Sequence, residues 1–416
     1  MLASSPRRRP MAWLFLGATC LALVLPGCGQ AAQAGAHAPA RPAATATPIA
    51  YPTSASSSMG PPDLRVVQAT GAPVPGIAPA WAHARLPAGF GMVFDSADLH
   101  VAASDGGTAY ACASPAGARG VEVIVTHDRG ATWRRVTDVP SSQPQGCQSI
   151  TVDALNPSIV ACCGFGQQAI SADGGATWRL SSVQAPIVSQ VATRGARTYA
   201  ILATQSASGS SISVGFSDDQ LRTWHALDAN LPSANPRGLW VNPGDGSLLL
   251  ETWPDGGAVQ MWSTSDGGAH WSQLPLPLRG IEEFAVQQPA AGQPWRVCAS
   301  FYGGDTSDSV LACTSDLGRT WTQEPAIFPP SASAAPVEMI GLPADGSLLV
   351  VRGTDLYRLP TGAARWQALG SLPPAGASLA YAPLSAGGVL WAFPAESDGA
   401  GGAGPGDAVY SAAYSS

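Results

Sequence analysis

The chain has 416 residues, of which 45% are hydrophobic and only 12% are charged, and it contains 47 glycines and 37 prolines. This composition suits many short strands joined by tight turns and excludes a helical bundle. The formal charge is −7; loss of Arg7, Arg8 and Arg9 with a leader leaves 18 basic against 28 acidic side chains, a charge of −10. An acidic surface excludes nucleic acid as an expected partner.

The N-terminus has the anatomy of an export signal. Three arginines precede the apolar run Met11–Leu25, which predicts a signal peptide over residues 1–27. The run ends in LPGC (25–28), which resembles the lipobox of bacterial lipoproteins and implies acylation of Cys28. Residues 28–60 are rich in Ala, Pro, Ser and Thr and predict a flexible tether. We expect a lipid-anchored protein on the bacterial surface or the outer face of the cytoplasmic membrane, or a secreted one if Cys28 is not acylated.

An eight-residue phrase recurs five times, and we call it the box: THDRGATW (126–133), SADGGATW (171–178), SDDQLRTW (217–224), TSDGGAHW (264–271) and TSDLGRTW (314–321). Each copy has an aspartate and a tryptophan, which we interpret as structural residues: Asp128 and Trp133, Asp173 and Trp178, Asp219 and Trp224, Asp266 and Trp271, Asp316 and Trp321. The aspartates are spaced by 45, 46, 47 and 50 residues, the period of a four-stranded propeller blade.

Two further tryptophans extend the repeat. Trp366 follows Trp321 by 45 residues and marks a sixth unit that has lost its aspartate. Trp81 begins a strand before the first unit, while the last unit lacks a fourth strand; pairing this strand near Val409 would close the ring and remove an open sheet edge. The sequence therefore predicts an all-β fold over residues 61–416, a seven-bladed β-propeller of four-stranded antiparallel blades, closed by an N-terminal strand.

Six cysteines follow Cys28, an even number that is compatible with disulfides in an oxidising compartment. Cys298 and Cys313 flank a polar loop, so a hairpin there would place them opposite each other. By the same logic Cys147 and Cys163 are expected to meet within one blade, which leaves Cys112 and Cys162 in neighbouring blades. Buried free thiols are the alternative.

The box resembles the aspartate box, or BNR repeat, of sialidases, xyloglucan-active glycosidases, sortilin-type receptors and photosystem II assembly factors. The resemblance covers nearly all of the chain after residue 80 and implies the propeller fold, but its members include enzymes, receptors and assembly factors. Sialidases carry Phe-Arg-Ile-Pro before the first box, where this chain has GFGMVFDS (89–96). No catalytic residue is therefore carried over from that family.

Propeller topology places the loops before the first strand and between the second and third strands on one face, the usual ligand face. Polar and aromatic residues collect there in the fourth and fifth units: Arg237, Glu251, Trp253, Asp255, Arg279, Glu282, Glu283, Tyr302 and Asp305. Arginine binds carboxylates and aromatic rings stack on sugars, so these residues predict a sugar or peptide site, with an ordinary solvated loop face as the alternative. The scattered histidines predict no metal site, and no cofactor is expected.

The sequence favours a monomeric surface lipoprotein whose propeller is a non-catalytic binding or assembly module for a protein or glycan at the cell envelope. The alternative is an exo-acting glycoside hydrolase of the sialidase type. Enzymatic activity therefore stays open, although the missing sialidase motif argues against it.

Overall fold

The structure is a computed structural model. It describes residues 63–66, 81–84, 90–91, 99–101, 107–115, 122–136, 139–140, 147, 150–153, 155–162, 167–182, 187–206, 209–227, 235–254, 258–277, 281–287, 293–301, 310–324, 328–329, 335, 337–343, 345–373, 377–384, 387–394 and 409–414. The predicted signal peptide, Cys28 and the tether lie outside the described residues, as does Cys163.

The described strands form seven sheets, and no helix occurs among the described residues. Two short strands precede the repeats, β1 (Asp63–Val66) and β2 (Ala82–Ala84). Sheet 1 contains β3 (Phe90–Gly91), β4 (Leu99–Val101), β5 (Ala109–Pro115), β6 (Glu122–Thr126) and β7 (Arg134–Arg135). Sheet 2 contains β8 (Ile150–Val152), β9 (Val160–Cys162), β10 (Ala169–Ser171) and β11 (Arg179–Leu180). Sheet 3 contains β12 (Ile187–Arg194), β13 (Arg197–Ser206), β14 (Gly209–Ser217) and β15 (His225–Ala226).

Sheet 4 contains β16 (Asn235–Val241), β17 (Leu248–Trp253), β18 (Gln260–Thr264) and β19 (Ser272–Gln273). Sheet 5 contains β20 (Ile281–Gln287), β21 (Arg296–Phe301), β22 (Val310–Thr314) and β23 (Thr320–Gln323), with β1 on its outer edge. Sheet 6 contains β24 (Val337–Gly341), β25 (Leu348–Arg352), β26 (Asp355–Leu359) and β27 (Gln367–Ser371). Sheet 7 contains β28 (Ala377–Leu384), β29 (Gly387–Pro394) and β30 (Val409–Tyr414), with β2 as its fourth strand.

The core lies between neighbouring sheets, so central strands are apolar on both faces. In β17, Leu248, Leu249 and Leu250 are all fully buried. Leu248 and Leu250 pack against sheet 3, whereas Leu249 packs against sheet 5, because successive side chains of a strand point to opposite faces. A run of three leucines therefore fits a strand held between two neighbours.

The sheets are arranged as a β-propeller, as the sequence predicted. The N-terminal strand β2 pairs antiparallel with β30, and Ala84 lies opposite Val409. Sheet 7 also contacts sheet 1, because β28 approaches β4 and the rings of Trp133 and Trp391 meet edge to face with centroids 6.4 Å apart. Pairing β2 with β30 gives sheet 7 its fourth strand and connects the segment before sheet 1 to the last described strand.

The box forms a hydrogen-bonded turn between the third and fourth strands. In sheet 5 the Asp316 carboxylate accepts bonds from the Thr314 hydroxyl at 2.9 Å, the Thr320 amide at 2.9 Å and the Thr320 hydroxyl at 2.7 Å. Gly318 has a φ of 82° and donates its amide to the Thr314 hydroxyl at 3.0 Å. The aspartates of the other four boxes accept the same pair of bonds from the residue four positions later, which is His270 in sheet 4 and threonine in the rest. In sheet 3 Leu221, with a φ of 65°, stands in the place of the glycine.

Two disulfides are resolved among the described residues. Cys298 of β21 is bonded to Cys313 of β22, directly opposite it in the hairpin, as the sequence analysis expected. Cys147 is bonded to Cys112 of β5, so the expected Cys147–Cys163 pair is wrong. The reason is that Cys147 lies in the apolar cluster between sheets 1 and 2, where the side chain of Cys112 is also buried. This disulfide therefore links β5 of sheet 1 to Cys147, which precedes β8 of sheet 2.

Candidate ligand-binding site

Four of the nine predicted ligand-face residues have described side chains: Arg237, Glu251, Trp253 and Glu283. The side chain of Glu282 lies outside the described residues, although its backbone belongs to β20, and so do four whole residues: Asp255, Arg279, Tyr302 and Asp305. No helix in the described part of the chain is long and apolar enough to cross a membrane. No group of three or more His, Cys, Asp or Glu side chains in that part could hold a metal ion.

The site is built on a β-bulge in the inner strand of sheet 4. The register of β16 with β17 shifts between Pro236 and Gly238, which makes Arg237 the inserted residue. Gly238 then lies opposite Glu251 of β17. A Cβ atom at Gly238 would lie 2.3 Å from the ring of Trp240 and 3.0 Å from Oε2 of Glu251. Glycine is therefore required here because an indole and a carboxylate both lie against the bare backbone.

The guanidinium of Arg237 lies over the ring of Trp253, with Cζ 4.0 Å from the ring centroid. Arg237 is exposed and forms no salt bridge with any residue that the structure describes. A guanidinium stacked on an aromatic ring is pre-oriented and keeps its edge N–H groups available. Trp253 thus supports Arg237, and its stacked face is not available to a sugar.

Glu251 is a half-buried carboxyl group on the same face of sheet 4. Leu249 and Trp253, two residues away on either side, both pack in the cluster shared with sheet 5, so Glu251 also faces sheet 5. Burial raises the pKa of Glu251 to about 6, and the positive charge of Arg237 opposes this rise. Among the described residues no hydrogen bond reaches the Glu251 carboxylate.

The second candidate carboxylate, Glu283, faces in the opposite direction. Its Oε2 accepts a hydrogen bond from the backbone amide of Met339 in sheet 6 at 3.0 Å. Sheet 3 has a similar link, because Oε1 of Gln190 accepts a bond from the amide of Leu239 in sheet 4 at 2.9 Å. The structure therefore does not bring Glu251 and Glu283 together, and the contact of Glu283 joins two sheets.

Sequence reasoning missed two residues of the site, Gly238 and Trp240. A glycine inside a strand signals a bulge or a close approach, and this signal was present directly after Arg237. Trp240 lies outside the repeated box, so the sequence pattern gave it no role.

Comparisons with family models and with curated proteins found no match. The chain resembles a GH74 xyloglucanase from Xanthomonas campestris, with 16% identity and a TM-score of 0.45, over 73% of this chain and 53% of the xyloglucanase. It also resembles an oligogalacturonate lyase solved in complex with manganese, with 10% identity and a TM-score of 0.48, over 84% of this chain and 99% of the lyase. The chain thus spans about half the length of the xyloglucanase. At these identities the similarity concerns the fold alone.

Proposed function

We propose that this protein is an exported β-propeller, held at the cell envelope by a lipid on Cys28, that binds a protein or glycan ligand. The observation that carries the binding role is the exposed guanidinium of Arg237, stacked on Trp253 and unpaired among the described residues. A pre-oriented guanidinium loses little conformational entropy when it binds an oxygen-bearing ligand. Arginine next to tryptophan is also a combination enriched at the energetic centres of binding surfaces.

In this proposal the seven sheets are the blades of one closed ring built on aspartate-box repeats, and the ring acts as a rigid monomeric scaffold. The regular box spacing and the pairing of β2 with β30 support it. A rigid scaffold favours binding because the loops on one face are held in fixed positions.

The lipid anchor is supported by the leader and by Cys28 in the lipobox-like LPGC (25–28). Two or more acyl chains would hold the protein stably on a membrane. We expect the native protein to sediment with membranes and a Cys28→Ser variant to appear in the medium or the soluble fraction. Equal partitioning of the two proteins would contradict the anchor without affecting the binding proposal.

The binding role is tested with the detergent-extracted mature protein on a glycan array and in pull-downs from an envelope extract. We expect a ligand that Arg237→Ala no longer retains. The matched control is Arg222→Ala, an exposed arginine in the box turn of sheet 3. Empty results in both formats, or equal retention by wild type and Arg237→Ala, would refute the role.

A glycoside hydrolase of the sialidase type is the second candidate, and one observation favours it. The pKa of Glu251, raised to about 6 by burial, suits a general acid near neutral pH. The assay is hydrolysis of a fluorogenic sialoside by the purified protein. If the wild type hydrolyses the substrate and Glu251→Ala does not, the protein is a hydrolase rather than a binding module. If the wild type gives no turnover, the hydrolase proposal is rejected.

A further inference from the structure

The central hairpin of sheet 3 is longer than that of any other described sheet. Its strands β13 and β14 have 10 and 9 residues, and they stay paired without a register shift up to Ser206 and Gly209. The inner strand β12 accompanies β13 only as far as Ala203. The end of the hairpin therefore extends beyond the rest of sheet 3, at the end of the sheet where the second and third strands are joined.

The outer strand of sheet 3 also leaves most of β14 uncovered. In sheet 3 the Leu227 amide donates to the Val214 carbonyl at 2.8 Å, and Val214 is the sixth residue of β14. Gly209–Ser213, which we call the β14 edge, thus has no outer partner among the described residues. In three other sheets the corresponding bond reaches the second residue of the third strand: Val136 to Val123 in sheet 1, Leu274 to Met261 in sheet 4 and Glu324 to Leu311 in sheet 5.

The direction of the backbone groups on the β14 edge follows from strand alternation. The Val214 carbonyl points to the outer side, because it accepts the bond just described. In an antiparallel pair the N–H and C=O of one residue point to the same side, and this side alternates along the strand. The N–H and C=O of Ser210 and Ile212 therefore point outwards, whereas those of Ser211 point to β13. The edge presents two donors and two acceptors at the spacing of a β-strand.

The β14 edge lacks the features that keep exposed strands from pairing. Such edges are usually protected by charged side chains, proline, bulges or very short strands. Residues 204–217 contain no charged residue and no proline, and the pairing of β14 with β13 has no bulge. Elsewhere in the ring, the outer strands of sheets 1, 2 and 4 have only two residues, β1 covers sheet 5, and β27 of sheet 6 has a bulge.

Ile212 gives this edge an exposed apolar position. Its side chain lies on the same face of the strand as that of Val214, which is buried in the cluster shared with sheet 4. Ile212 itself is 39% exposed. A strand added to the edge would place a side chain beside Ile212, and apolar or aromatic cross-strand pairs stabilise sheets. The edge therefore favours a partner with an apolar residue at this place.

Sheet 5 shows what an outer edge of this ring binds. The strand β1, which lies outside the repeat, pairs with β23 over the whole of Asp63–Val66. An extended polypeptide offers alternating N–H and C=O groups at strand spacing, and a glycan does not. The chemistry of the β14 edge thus selects a polypeptide as its ligand.

We propose that the β14 edge binds an extended segment of a partner protein as an added β-strand, with an apolar side chain of that segment beside Ile212. This surface belongs to sheet 3, whereas the stacked Arg237 belongs to sheet 4. The inference therefore goes beyond the proposed function and has its own test.

The probe is a peptide selected from a phage-displayed library of random dodecapeptides on the mature protein. We expect the enriched peptides to be rich in β-branched and aromatic residues, because these residues favour the extended conformation. The most enriched peptide is synthesised with a fluorescein label, and fluorescence anisotropy measures its affinity.

The protein variants remove outward groups of the edge and leave the hairpin bonds in place. Ser210→Pro removes an N–H that β13 does not use, so it should weaken peptide binding about tenfold and keep the melting temperature of the wild type. Ser210→Ala is the matched control: it keeps the N–H and should bind like the wild type. Ile212→Thr keeps the N–H but loses the apolar contact, and should weaken binding by a smaller factor.

A second measurement changes the peptide and needs no protein variant. The N–H groups of an added strand alternate between the β14 edge and solvent. N-methylation of the peptide at every second residue should therefore abolish binding in one of the two registers and have little effect in the other. Binding through side chains alone would not show this alternation.

Three results would overturn the proposal: no enriched peptide, equal binding by wild type and Ser210→Pro, or equal effects of the two N-methylation registers. A wild-type dimer in sedimentation that Ser210→Pro converts to a monomer would also overturn it, because the edge would then bind a second copy of this chain. Arg237→Ala should bind the peptide like the wild type, so failure at the β14 edge leaves the proposed function to its own test.

Discussion

Sheets 5 and 6 are neighbours in the same ring, but sheet 5 has a complete box whereas sheet 6 has lost the aspartate of its box. In sheet 5 Asp316 ties the turn together and Trp321 is fully buried, with its indole N–H donating to the carbonyl of Pro275 at 2.9 Å. In sheet 6 Thr361 stands where the aspartate would be, and Trp366 is still fully buried, stacked on Phe328 with ring centroids 4.9 Å apart.

The comparison separates the two roles of the box. The tryptophan persists without the aspartate, so the indole is the part on which packing between sheets depends. The carboxylate organises the local turn, and sheet 6 replaces it with a single backbone bond from the Ala363 amide to the Pro360 carbonyl at 2.9 Å. Sheet 6 also has a longer outer strand, β27, whose pairing with β26 supplies backbone bonds that the other outer strands lack.

The largest effect should come from removing either indole. Trp321→Ala and Trp366→Ala each leave a large cavity between sheets and should lower the free energy of unfolding by about 3–5 kcal/mol. Trp271→Ala is the control, because that ring is only half-buried, and its loss should cost clearly less. Chemical denaturation of the three variants makes the comparison. If Trp366→Ala has a small effect while Trp321→Ala has a large one, the stabilisation by the tryptophan depends on a complete box and not on the indole alone.

The next effect should come from the disulfide, which sheet 5 has and which no described residue of sheet 6 reproduces. The Cys298–Cys313 bond closes a segment with a sequence separation of 15 residues. The double variant Cys298→Ala/Cys313→Ala should lose roughly 2–3 kcal/mol, because the unfolded chain regains conformational freedom. The measurement is denaturation of wild type and variant without reductant, and a match between them would contradict the expectation.

A smaller effect should come from the carboxylate. Burial acts to raise the pKa of Asp316, but the hydrogen bonds from Thr320 and Thr314 outweigh it and hold the pKa below its ordinary value. Asp316→Ala should cost roughly 1 kcal/mol at pH 7, since the site is partly solvated. Because the folded pKa is depressed, this stability is present above the unfolded pKa of about 3.9 and is lost as the pH falls below it. The difference in the free energy of unfolding between wild type and variant should therefore be smaller at pH 3 than at pH 7. Chemical denaturation of both proteins at the two pH values measures this difference.

The smallest expected effect is a gain in stability. Leu317 has a φ of 55°, whereas the corresponding residue of sheet 6 is Gly362, with a φ of 74°. A non-glycine residue in this left-handed region is strained, although glycine loses more entropy on folding. Leu317→Gly should therefore raise the free energy of unfolding by about 0.5 kcal/mol, and its side chain is 38% exposed, so little packing is lost. A loss of stability would show that Leu317 packs usefully in the native state.

The candidate site was only partly predictable. Arg237, Glu251 and Trp253 could be named because polar and aromatic residues at the ends of propeller strands reach the ligand face. The opposite directions of Glu251 and Glu283 could not, because Glu283 follows a bulge that shifts the alternation of its strand. Gly238 gave a signal as a glycine within a strand, but which groups lie against Gly238 and Trp240 follows only from their positions in space.

The sequence by itself determined the repeat, the strand order and the box turns, because each of these follows from hydrogen bonding and alternation within about 50 residues of chain. It also indicated the closing strand near Trp81, because the last unit lacks a fourth strand of its own. The tertiary structure decided the rest. It paired Cys112 with Cys147. It also placed β1 parallel to β23, and no local sequence pattern predicts this pairing. These features depend on how neighbouring sheets pack, and packing brings together residues that the sequence keeps far apart.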